Sequence, residues 1–81
     1  MIYAIYAIRD AKVGFLSLTV EQNDAVALRN FEHAKLNAQS LMFSHPGDFD
    51  LYKLGNYNTD TGEIIPLLPT PVVFDGGNQD V

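Results

Sequence analysis

Residues 2–9 read Ile-Tyr-Ala-Ile-Tyr-Ala-Ile-Arg, an alternation in which neither side is polar. In an extended chain Ile2, Ala4, Tyr6 and Ile8 fall on one face, and Tyr3, Ile5 and Ala7 on the other. A strand that is apolar on both faces needs cover from two sides and neighbours on both edges, so it belongs inside a sheet. The rest of the chain has to supply those neighbours. Arg9-Asp10-Ala11-Lys12 is polar enough to be a hairpin connection. The β-rich segment Val13–Val20, VGFLSLTV, follows as a second strand. Simple alternation puts Leu16, Leu18 and Val20 on one of its faces and Phe15 with Ser17 on the other, and Gly14 is a candidate bulge.

A helix begins at Asn23-Asp24, where an Asn cap accepts from an orphan amide and an Asp in the first turn suits the dipole. Thr19-x-x-Gln22 is an alternative capping box one turn earlier. In DAVALRNFEHAKLN, Ala27, Leu28, Phe31 and Ala34 form one apolar stripe, and Asn37 is the expected stop. Residues 38–44 read as a loop with one helical turn starting at Ser40. Phe49, Leu51 and Lys53 then alternate with Asp50, Tyr52 and Leu54, the period of a third strand. Asn58-Thr59-Asp60-Thr61-Gly62 provides a reversal in which Gly62 takes positive φ. Ile64, Ile65, Leu67 and Leu68 make a fourth strand, and Pro66 assigns it to an edge. Pro69-Thr70-Pro71 is expected to end regular structure before a short extended Val72-Val73-Phe74 and a mobile DGGNQDV.

The expected fold is therefore α+β: a four-stranded antiparallel sheet, ββαββ in order 2-1-3-4, with one helix on one face. Residues 1–68 form the single domain, and residues 69–81 form a flexible or partly docked tail. One helix covers one face only, so the other face of the first strand calls for a partner, most simply a second copy. The competing cover for that face is Val72-Val73-Phe74 folded back over it.

Several function classes find no support. With no Cys, neither disulfides nor thiolate metal sites are available. His33 and His45, with Asp48 and Asp50, fit no standard ligand spacing and read as a surface His and a turn His. Asn56-x-Asn58-x-Asp60 lacks both the Gly and the distal acid of a calcium loop. No nucleophile elbow is present, and no Gly-rich run precedes the helix. No enzyme and no cofactor are expected. The apolar run Met1–Ile8 is too short for a bilayer span and lacks the basic region and cleavage site of a signal peptide, so a non-secreted cytoplasmic protein without membrane contact is expected. The five Lys and Arg face ten Asp and Glu. Residues 1–43 balance, so the whole formal charge of −5 falls on residues 44–81. Phosphate-driven binding needs clustered cations, so any direct DNA affinity has to be weak, local or built by oligomerisation.

The run His45-Pro46-x-Asp48-Phe49-x-Leu51-Tyr52-x-Leu54-Gly55-x-Tyr57-Asn58-x-x-Thr61-Gly62 resembles the small nonstructural protein of gokushoviruses, microviruses with circular single-stranded DNA. The helix entry Asn23-Asp24-Ala25-Val26-Ala27-Leu28-Arg29-x-Phe31 is similar as well, and the resemblance fades in the tail. It implies a bacteriophage accessory protein in the cytoplasm of a bacterial host, acting in single-stranded DNA synthesis or genome replication through DNA or through a viral or host replication protein. Tyr3, Tyr6, Phe15, Tyr52 and Tyr57 could then stack unpaired bases, flanked by Arg9, Lys12 and Lys53. Arg29 joins this set or pairs with Glu32 on the helix surface. The alternative is that the aromatics fill the core or an oligomer interface, and that the protein is a self-associating or protein-docking module without direct DNA binding.

Overall fold

The computed structural model describes residues 1–72. Its strands are β1 (Ile2–Asp10), β2 (Gly14–Glu21), β3 (Phe49–Asn58) and β4 (Ile64–Pro71), with helix α1 (Asp24–Ala34) and a single helical turn α2 (Leu41–Ser44) between β2 and β3. A 3-10 turn, Pro46–Asp48, leads into β3. The four strands form one sheet in the order β2-β1-β3-β4, and every neighbouring pair is antiparallel. This is the α+β arrangement expected from the doubly apolar first strand. Ala4, Ile5, Tyr6 and Ala7 at its centre are all buried.

The register divides the side chains between two faces. Ala4, Tyr6 and Ile8 point to the side of α1, where Ala4, Tyr6, Ala27, Phe31, Met42, Phe49 and Leu51 form the core. Tyr3, Ile5 and Ala7 point to the other side, with their cross-strand neighbours Tyr57, Gly55 and Tyr52 on β3. On β2, Val20 and Leu18 stand opposite Ile5 and Ala7. The register then shifts between Ala7 and Arg9, with Arg9 opposite Phe15. That extra β2 residue reverses the alternation. Phe15 therefore lies on the same face as Leu18 and Val20, not on the opposite one as simple alternation gave.

Local chemistry sets the ends of the elements. Asn23 caps α1, its side chain accepting from the Val26 N–H at 2.9 Å, so the earlier Thr19 box is not used. The helix stops at Ala34, short of Asn37. Leu36 and Asn37 donate to the carbonyls three residues back, a tightening common where a helix runs out. Ser40 caps α2 through Met42 N–H, which places Met42 in the core. Gly62 has φ +79° and donates to the Asn58 carbonyl at 2.8 Å, closing the β3–β4 turn as expected.

β4 departs from expectation by running through Pro69-Thr70-Pro71. An outermost strand tolerates proline wherever an N–H would face solvent, so prolines there need not end it. Val72 donates to the Leu51 carbonyl and packs against the α1-side core, so it does not cover the opposite face. Val73 and Phe74 lie outside the described residues.

Candidate nucleic-acid interface

The sheet face away from α1 gathers most of the exposed aromatic surface. Tyr3 and Tyr57 face each other across β1 and β3 and are half-buried. Phe15, opposite Arg9, and Tyr52, opposite Ala7, meet edge to face diagonally across β1, with ring centroids 5.4 Å apart. Ile5 and Ala7 form a buried floor between these rings. Four rings over a small apolar floor gather aromatic surface at different strand positions on one side of the sheet, with Phe15 and Tyr52 at 83° to each other.

Charge is sparse and lies at one end. Arg9 stands on this face between Phe15 on β2 and Asp50 on β3. Lys12 is exposed in the adjoining turn, whose shape is held by its own N–H donating to the Asp10 carboxylate at 2.8 Å. Arg9 is the cation that the register places on the aromatic face, whereas Lys12 lines a hollow with Leu41, His45 and Phe49 on the helical side.

The remaining sequence candidates lie elsewhere. Tyr6 is fully buried on the α1 side, and its hydroxyl donates to the Asp24 carboxylate. Burial pushes its ionisation well above the ordinary phenol range, and the bond to Asp24 and the charges of Asp24 and Glu21 add to the shift. A ring covered in this way cannot stack on a base, so Tyr6 leaves the candidate set and becomes a core residue. Tyr6 is three positions from Tyr3, and an odd separation along a regular strand puts two side chains on opposite faces. Lys53 pairs in register with Tyr6 and so shares the α1 side. Arg29 is exposed on α1, also away from the aromatic face. Its expected partner Glu32 is instead 3.8 Å from Lys35, whose ammonium sits 4.5 Å from the centre of the Phe31 ring. His33 and His45 are both exposed, and His45 Nδ1 lies 2.8 Å from Ser44 Oγ.

Leu18, Val20 and Ile64 also belong to this face and were absent from the sequence-derived set. Leu18 and Ile64 are 64% and 62% exposed, enough to make the apolar surface continuous from β2 to β4. The signal for Leu18 and Val20 was the hairpin register, which sets them against Ala7 and Ile5 on the uncovered side.

The fold and this face define an α+β protein built on an antiparallel sheet whose helices, among the described residues, cover one side. Residues 3–78 match the Phage ORF5 protein family, and the chain belongs to that family of phage proteins. No curated protein and no solved structure matches it.

Proposed function

We propose that this phage protein is a non-enzymatic accessory factor for synthesis of a single-stranded DNA genome, of the gokushovirus type, acting in the cytoplasm of the bacterial host. It holds unpaired bases against the sheet face that α1 leaves open. The observation that supports this is the gathering of Tyr3, Phe15, Tyr52 and Tyr57 on one side of the sheet, with Arg9 at its end. Stacking of a base on an aromatic side chain contributes about 1–3 kcal/mol and is indifferent to sequence. With Arg9 as the cation on this face, most of the affinity comes from stacking and little from released counterions.

A titration of single-stranded oligonucleotides against the protein at several salt concentrations tests this. One phosphate contact on a single strand, at Arg9, gives a logarithmic salt slope of about −0.7, shallow for a DNA-binding protein. Tyr52→Ala weakens binding by about fivefold or more, in line with loss of one stacked base. Absence of binding even at low salt overturns direct DNA contact. The exposed Leu18, Val20 and Ile64 and the formal charge of −5 favour a second reading, in which the same face docks a replication protein or another copy of the chain. Under that reading the oligonucleotides fail to bind, and light scattering reports an assembly that Tyr52→Ala weakens.

A further inference from the structure

The two outer edges of the sheet are unlike. β4 carries Pro66, Pro69 and Pro71 within eight residues. Asn58 N–H donates to the Glu63 carbonyl and Val72 N–H to that of Leu51, which marks the bonded pairs at the two ends of the β3–β4 ladder. By alternation, Gly55–Pro66 and Tyr52–Pro71 are non-bonded pairs, where an ordinary residue would point its N–H away from β3 into the open edge. Proline has no N–H to offer there. Pro69 falls in the register irregularity between these pairs, where it has no partner on β3.

β2 has no such protection. It contains no Pro, Lys or Arg, and its single charge is Glu21 at the end. Thr59 N–H donates to the Met1 carbonyl at 2.9 Å, so the odd-numbered β1 residues bond toward β3 and the even-numbered ones toward β2. Leu18 and Val20 stand opposite the odd-numbered Ala7 and Ile5. Their own N–H and C=O groups therefore point outward. No other described residue hydrogen-bonds to them, and their side chains are 64% and 44% exposed. Natural sheets usually blunt such an edge with proline, lysine or a covering segment.

We infer that β2 is a pairing edge whose occupant is the β2 strand of a second copy of this chain, running antiparallel. The strand is complementary to itself. When Leu18 of one copy lies across from Val20 of the other, all four residues exchange backbone bonds in two symmetric pairs, and their apolar side chains meet on the same face. In that register Glu21 lies across from Ser17, so the two carboxylates sit at opposite ends and like charges never face each other. The contact is isologous, with the dyad perpendicular to the sheet. Both helices then lie on one side, and the two uncovered faces join on the other. This pairing stands whatever ligand the aromatic face takes.

The test uses the unaltered full chain and two variants. Light scattering over a dilution series gives a dimer that dissociates to monomer. Amide exchange followed by NMR shows Leu18 and Val20 protected about tenfold or more in the dimer relative to the diluted monomer. Leu18→Pro removes an outward N–H, keeps the inner ladder and abolishes dimerisation. Ile64→Ser, on the uncovered face but remote from β2, leaves the dimer intact. A protein that stays monomeric throughout overturns the inference. So does a dimer whose Leu18 and Val20 amides exchange as fast as in the monomer, or one lost on Ile64→Ser but not on Leu18→Pro. Should Leu18→Pro fail to fold, the exchange measurement on the unaltered chain decides alone.

Discussion

At Gly62 the obstacle to a side chain is the backbone conformation, because a Cβ there would meet nothing within 4 Å. Gly62→Val therefore costs on the order of 1 kcal/mol or more through strain at φ +79°, and the thermal midpoint falls accordingly. Gly55 is the opposite case: its φ is unremarkable, but a Cβ would approach the Ile65 carbonyl oxygen to 2.7 Å. Gly55→Ala should displace β4 from β3, seen as faster amide exchange at Asn56 and Ile65, which face each other across that ladder. Tyr6 adds a pH dependence. Its ionisation is raised in the folded state, so the neutral phenol contributes stability that is complete below the unfolded value of about 10 and is lost as pH rises beyond it. Stability measured by denaturant from neutral to strongly alkaline pH should fall in that window, and the fall should be smaller in Tyr6→Phe. The Gly62 turn was legible because Asn58 to Gly62 act on one another within five residues. The fate of Tyr6 was not, because the sequence offers two apolar faces on β1 and nothing local says which one α1 covers.

Among the elements, α1 was the most readable, since its cap and its stripe of Ala27, Leu28, Phe31 and Ala34 are set by short-range chemistry. Asn23→Ala should lower stability by about 1 kcal/mol, whereas Thr19→Ala should change it little, because only the Asn cap is formed. Comparison of the two variants by thermal unfolding separates these capping schemes. Strand pairing was readable for a different reason: a strand apolar on both faces has one place in a four-stranded sheet. What the residue types did not give was where the irregularities fall, since the β2 bulge lies between Phe15 and Leu18 and not at Gly14. The extra residue opposite Ala7–Arg9 moved Phe15 to the other face, and the outward-facing prolines let β4 continue to Pro71. Both depend on which hydrogen-bonding groups face a neighbour, a property of the assembled ladder that residue type alone does not carry.

For the whole molecule, the asymmetry of cover matters more than the fold itself. α1 and α2 serve one side of the sheet, and among the described residues no element covers the aromatic and aliphatic surface of the opposite side. The charge is sparse on the open side: Arg9 stands there, while Lys12, Lys53 and Arg29 lie away from it. That distribution could not be read from a count of five cations, since it depends on the register of β1 with β3. No helix among the described residues is long and apolar enough to cross a membrane. The proline-lined edge of β4 has one more consequence, for stoichiometry. A subunit with two receptive edges has a valence of two and can polymerise without limit, as a fibre does. Sealing one edge reduces the valence to one, so growth along the sheet direction ends at the first partner however high the concentration rises.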